Sequence, residues 1–251
     1  MRRHRFVTCG LALWLLGGCA IKTPYLPIRN WPIAQRASYF RDAAPYRVGV
    51  LPLADERPTV ERHGQQPTGI FLLLWNRRVG DYTTGDAVFG GQVADQLTGQ
   101  LIDYLKSANV FADVIRLPAG PPGAVPQDAA PLGRIGREHV VDYLLTGEVQ
   151  HFYGSQKQHT SIWLLPLYFI NTFGWQDNKS LPWGHTAIQF TLHDGRTGAT
   201  VWRQLVEESR TLPREEDAMS EAAMAAFADA AGELARELRN LPLELPPTTQ
   251  P

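Results

Sequence analysis

Between residues 86 and 108 the apolar positions fall four apart: Phe89, Val93, Leu97, Leu101 and Leu105. Val88 and Ile102 widen that stripe, and Asp95, Gln96, Gln100 and Asp103 occupy the other faces. Residues three and four apart share one side of a helix, so the spacing predicts a single amphipathic helix over 86–108. Asp86 reads as its N-cap, Asn109 as the left-handed residue that stops it, and Gly90-Gly91 loosens its first turn. Shorter apolar stretches flank it. Residues 46–53 (YRVGVLPL), 110–117 (VFADVIRL) and 141–153 (VDYLLTGEVQHFY) read as strands. Residues 185–193 and 200–209 read as a strand pair joined at Asp194-Gly195-Arg196-Thr197-Gly198. Pro131 opens a short helix over 131–140. Ala222, Ala226, Leu234 and Leu238 lie inside a long one over 215–240.

Strand, helix, strand, helix, strand, hairpin, helix is the order of an α/β (α+β-like) fold, a mixed sheet covered by helices. Two stretches interrupt the framework, 59–84 and 154–183. Both carry apolar runs, IFLLLW at 70–75 and IWLLPLYFI at 162–170. They are expected as apolar loop insertions. Phe71, Leu74, Trp75, Trp163, Leu164, Tyr168 and Phe169 are the candidate partner-binding residues, because large exposed apolar patches mark contact surfaces and aromatic rings suit them. Packing against the domain itself and contact with a bilayer are the other readings. Neither run alternates as a lipid-facing barrel strand does.

The amino terminus follows another logic. Arg2, Arg3, His4 and Arg5 precede the apolar FVTCGLALWLL at 6–16, and Leu16-Gly17-Gly18-Cys19 follows. This is an export signal, too short to remain as a membrane span. Leu-Gly-Gly-Cys resembles the lipobox of bacterial lipoproteins. The resemblance implies cleavage after Gly18, a thioether-linked lipid on Cys19, and acylation (palmitate) of the new amino group. Ala20 rather than Asp follows the cysteine, which in proteobacterial relatives favours the outer membrane. Residues 19–45, interrupted by Pro24, Pro27 and Pro32, read as a lipidated tether on which Trp31, Tyr39 and Phe40 are able to dock. The periplasmic domain is expected over 46–241 and a loose, proline-rich tail over 242–251.

Composition narrows the chemistry. The 251 residues hold 24 Lys and Arg against 25 Asp and Glu, and the signal removes Arg2, Arg3 and Arg5, so the mature chain is net acidic. No basic stripe suggests nucleic acid. Of the two cysteines, Cys9 leaves with the signal and Cys19 carries lipid, so no disulfide, thiolate nucleophile or cysteine metal site is expected. His63, His139, His151, His159, His185 and His193 have no dense ligand spacing, and no metal or cofactor is expected. Asp55 and Glu56 end a strand, where α/β folds place ligands. No nucleophile elbow, phosphate loop or dinucleotide fingerprint accompanies them, and the chain reads as a non-enzyme.

YRVGVLPLADER, the helix at 86–108, VFADVIRL and DYLLTGEV together resemble the periplasmic α/β domain of several envelope lipoproteins. These include the curli-secretion channel lipoprotein, the Pel-polysaccharide export lipoprotein and the lipoprotein activators of peptidoglycan synthases, with the amino-terminal domain of TolB. The resemblance covers 46–153 well and 184–240 loosely, and transfers no catalytic residue. It implies a periplasm-facing, outer-membrane docking or assembly subunit of an envelope or export system, with an envelope protein or a second copy as partner. The alternative is a regulator binding a peptidoglycan synthase or cell-wall glycan, and the least favoured is an envelope hydrolase.

Overall fold

The structure, a computed structural model, describes residues 25–65, 68–72, 75–118, 128–159, 178–179, 181–213 and 218–243. The strands are β1 (Ala44–Val50), β2 (Ala54–Asp55), β3 (Thr68–Leu72), β4 (Trp75–Thr83), β5 (Phe111–Arg116), β6 (Tyr143–His159), β7 (Asn178–Lys179), β8 (Trp183–Asp194) and β9 (Thr200–Thr211). The helices are α1 (Thr59–His63), α2 (Asp86–Phe89), α3 (Val93–Ser107), α4 (Ala129–Glu138) and α5 (Ala218–Asn240).

The mixed sheet is organised by β6. Its start runs parallel to β1, which also runs parallel to β5. Its middle takes β2, again parallel, and its far end takes β4, antiparallel, from Ser155 to Gln158. Along its other side β6 pairs antiparallel with β8 over Tyr143 to Ser155 and then with β7. Among the described strands β9 pairs only with β8, and β3 only with β4. The α/β fold class read from the element order is the one observed.

One face of the sheet carries α3 and α5. Val48, Val50, Leu101, Phe152, Phe190 and Phe227 belong to the continuous core beneath them. The Ala-rich interior of α5 has a steric purpose. A Cβ on Gly184 of β8 would overlap the Ala222 backbone, and one on Gly154 of β6 would overlap Met219. The helix therefore lies directly on two glycines, and Ala222, Ala223 and Ala226 are fully buried there. On the opposite face α4 covers a smaller cluster of Leu51, Leu117, Leu132, Val141 and Leu144.

The helix expected over 86–108 is two helices. Gly90 (φ 88°), Gly91 (φ 72°) and Gln92 (φ 45°) take left-handed conformations that an α-helix cannot contain. The apolar stripe crosses the break intact, with Phe89, Val93, Leu97, Leu101 and Leu105 all buried. Asp86 is the first helical residue and Gly85 the cap. Asn109 (φ 57°) is left-handed, as read. The short helix begins at Ala129, so Pro131 lies within its first turn rather than opening it.

From Tyr25 onward the stretch read as tether is packed. Two 3-10 turns, Ile28–Asn30 and Ile33–Arg36, bury Ile28 and Ile33 completely. The Leu26 amide donates to the Val88 carbonyl at 2.8 Å, and the Phe40 amide to Ala108 at 2.8 Å. Trp31 and Phe40 pack on the core, whereas Tyr39 is exposed. At the other end Leu243 lies on the core, and its carbonyl accepts from the Tyr46 hydroxyl at 2.7 Å. The first part of the expected tail is thus docked.

The 59–84 insertion is not a loop. It holds α1 and the β3–β4 hairpin, in which Leu72 pairs with Trp75 and Phe71 with Asn76. The run at 70–75 fails to alternate because it spans the end of one strand and the start of the next. Strand β6 likewise continues to His159, six residues beyond its expected end.

Leu97 is fully buried at the centre of the α3 stripe. Leu97→Ala is expected to destabilise the domain by about 2–5 kcal/mol, measured by urea unfolding. A loss below about 1 kcal/mol would place Leu97 outside the packed core.

Candidate functional site

The expected site residues divide by place. Phe71 and Trp75 are in the β3–β4 hairpin. Cys19, Leu74, Trp163, Leu164, Tyr168 and Phe169 lie outside the described residues. The stems of the two insertions do meet: β4 flanks β6 from Ser155 to Gln158, and β7 flanks it at Gln158 and His159. Described strands of both insertions thus pair with the far end of β6.

The sheet face away from α3 and α5 carries a cluster that reading the chain in order does not reveal. A register shift between Val149 and His151 moves His151 onto that face. Antiparallel pairing sets Tyr153 opposite His185, and Ser155 opposite Trp183. Ring centroids lie 5.5 Å apart for His151–His185 and Tyr153–His185, and 5.6 Å for Tyr153–Trp183. Glu61 of α1 lies under this cluster, buried. Its carboxylate is 2.6 Å from His151 Nδ1 and accepts the Phe152 amide at 3.3 Å, pinning α1 to β6. His151 and His185 are thereby neighbours across two strands.

His185 also joins β8 to β9. Its Nδ1 is 2.9 Å from Ser209 Oγ, and its Nε2 is 3.7 Å from Glu207 Oε1. The second separation exceeds hydrogen-bond length, so Ser209, His185 and Glu207 form no connected proton relay. Burial lowers the His185 pKa, with His151 adding to the effect and Glu207 and Glu61 opposing it. The cluster is an aromatic and amphipathic surface, the composition that suits a contact face. No group of three or more His, Cys, Asp or Glu able to hold a metal occurs among the described residues. No described helix is long and apolar enough to cross a membrane.

Asp55 and Glu56, the candidate carboxylate pair, separate. Asp55 is bound to Arg57, whose Nε and Nη2 donate to its two oxygens, each at 2.8 Å. The Arg57 side chain is 1% exposed, and its Nη1 is 3.0 Å from Asp86 of α2. Glu56 points to solvent. Burial raises the Asp55 pKa, but hydrogen bonds and charge from Arg57, with charge from Arg62, outweigh it and leave the carboxyl below its usual value. Asp55 is a structural partner of Arg57.

No family model matches the chain, and no curated protein does. Solved structures similar to it include protein XCC0632 of Xanthomonas campestris, 14% identical, covering 80% of this chain and 88% of that one at a TM-score of 0.46. A PelC dodecamer of Paraburkholderia phytofirmans is 15% identical over 79% of this chain and 94% of that one, TM-score 0.39. The lipoprotein GNA1162 of Neisseria meningitidis is 12% identical over 76% and 99%, TM-score 0.31. Bacterial lipoproteins are thus among the structures this chain is similar to. Identities and scores of this size carry no statement about its activity or partners.

Two predictions follow from the ionisable groups. Asp55→Ala leaves the buried Arg57 charge with Asp86 alone and is expected to cost about 3 kcal/mol or more in urea unfolding at pH 7. The second concerns His193, buried between Thr146 and Thr200. Burial lowers its pKa, aided by Arg203 and opposed by a hydrogen bond with the Gly198 backbone. A depressed histidine pKa means the unfolded chain binds the proton first, so stability falls as pH drops below about 6.5. His193→Gln is expected to reduce the stability lost between pH 7 and pH 5. An unchanged loss would remove His193 as a source of it.

Proposed function

We propose that this chain is a lipid-anchored subunit of the bacterial envelope that faces the periplasm and works by docking or assembly rather than by catalysis. The observation that carries the reading is the placement of Leu-Gly-Gly-Cys immediately ahead of a packed domain. Leu26 is hydrogen-bonded to Val88, and Ile28 is in the core. From Cys19 to Leu26 is seven residues, at most about 25 Å of fully extended chain. A lipid on Cys19 therefore holds the domain close against the leaflet. Several acyl chains make such attachment durable, since each buried methylene contributes about 0.8 kcal/mol. Ala20 favours the outer membrane by its likeness to proteobacterial lipoproteins.

The face built from His151, Tyr153, Trp183 and His185, together with the insertions whose described strands pair with the far end of β6, supports a contact role. Of the carboxylate pair that catalysis would have drawn on, Asp55 is held by a buried arginine and Glu56 is exposed. Cys19→Ser removes the thiol that accepts lipid. Metabolic labelling with a radioactive fatty acid is expected to mark the parent and not the variant, and the variant is expected to leave the membrane fraction or stay uncleaved. Equal label in both would end the lipoprotein reading.

A further inference from the structure

The long edge strand β9 has a sequence that is complementary to itself. Among the described strands it pairs only with β8, although it is 12 residues long. An edge of that length presents unpaired backbone groups and is a template for another strand. Val201 and Leu205, both on β9, are also exposed, at 48% and 42%. We propose that two copies of this chain associate through antiparallel β9–β9 pairing about a two-fold axis at Leu205, giving one sheet continuous across both.

Register argues for a second copy as the occupant. Pairing with β8 assigns Arg203, Leu205, Glu207 and Ser209 to one face of β9, opposite Thr191, Gln189, Ala187 and His185. Trp202, Gln204, Val206 and Glu208 are on the other, opposite core residues that include Leu192, Phe190 and Ile188. Directly opposed residues of an antiparallel pair share a face, so a two-fold axis must pass through a residue and not between two. Centred on Leu205, the axis sets Leu205 against its own copy and each Arg203 opposite the other chain's Glu207, twice. Centred on Val206, it sets Arg203 against Ser209 and Leu205 against Glu207. Centred on Glu207, it opposes two like charges. Centred on Gln204, it pairs no charges. Only the Leu205 register covers the exposed leucine and matches two pairs of opposite charge. Opposite-charge and apolar cross-strand pairs are the contacts that fix sheet register. The axis stands perpendicular to the sheet, so both copies keep their helices on the same side.

The geometry gives a sharp test in the full lipoprotein. At the axis the two Leu205 Cα atoms stand about 4.5–5.5 Å apart, within disulfide reach. Val201 is eight residues from its copy along the paired strands, about 26 Å. Membranes carrying Leu205→Cys are treated with a mild oxidant beside Val201→Cys and the parent chain, and run without reductant. The parent reports any linkage through Cys19, which keeps a failure of lipidation distinct from a failure of pairing. The expected result is a linked dimer from Leu205→Cys and none from the other two. No dimer from Leu205→Cys, equal dimer from Val201→Cys, or linkage of Leu205→Cys to a different protein overturns the proposal. A charge swap checks the same register without cysteine. By sedimentation in detergent, Arg203→Glu and Glu207→Arg are each expected to weaken self-association about tenfold or more, and the double variant to restore it. A double variant as weak as either single one overturns the pairing.

Discussion

A guanidinium removed from water must be matched by charge and hydrogen bonds, and the side chain of Arg57 is 1% exposed. Asp55 grips it from the end of β2 and Asp86 from the first residue of α2, while its own carbonyl accepts from Arg62 Nε at 2.9 Å. Three points of the chain, before the first insertion, at its start and after its end, are thereby held at one place. The closure is tightened nearby. Gly64 (φ 73°) sits against Gly85 so closely that a Cβ on either would meet backbone. Behind it Phe89 of α2 packs on Phe152 of β6, centroids 4.9 Å apart. The two ends of the stretch that holds the β3–β4 hairpin are therefore fixed by one buried charge network.

Strand β6 joins this base to everything else. Its first residues belong to an α/β sheet with parallel neighbours and helices, and its last residues to antiparallel extensions. The irregularity between Val149 and His151 lies at the change. Before it, Val149 enters the core. After it, Phe152 does, and His151 and Tyr153 turn to the opposite face. One extra residue in a strand re-aims every side chain that follows, and here it brings two rings of β6 beside Trp183 and His185 of β8. The histidine–aromatic face therefore exists because the strand is bulged, and Glu61 holds α1 on the residue that the bulge redirected.

Much of the framework is legible in the sequence, since it is written in local periods. The Phe89-to-Leu105 stripe, VFADVIRL and the turn at Asp194-Gly195 each carry their signal within a few residues. What is not legible depends on distant partners. Ile28 and Ile33 stand isolated among prolines, with no period to reveal that α3 receives them. The run at 70–75 conceals a chain reversal, because apolar residues on both sides of a turn look like one segment. The break at Gly90-Gly91-Gln92 leaves the stripe in phase, so periodicity passes over it. The histidine–aromatic cluster requires the β6–β8 register and its one-residue shift, which no single strand's sequence contains. Asp55 looked available for chemistry because the residue that occupies it, Arg57, is two positions away and its burial is a tertiary fact.

The short distance from Cys19 to Leu26 bears on association as well as location. A lipid on Cys19, as proposed, would keep the domain within about 25 Å of a leaflet, in a thin layer rather than in the full volume of its compartment. Confinement raises the effective concentration of one copy for another, as a linker does, without adding a contact. Edge pairing by a single strand is a modest interface, with two exposed Arg–Glu pairs that contribute little apiece and weaken with salt. In dilute solution such an edge is protected by its own charges, which resist mismatched strands and so limit aggregation. In the proposed dimer the same charges select one register, and confinement to a membrane would raise its occupancy. The proposed leash and the proposed strand pairing are in this sense complementary: attachment to a leaflet would raise the occupancy of an interface that the strand contact alone keeps modest.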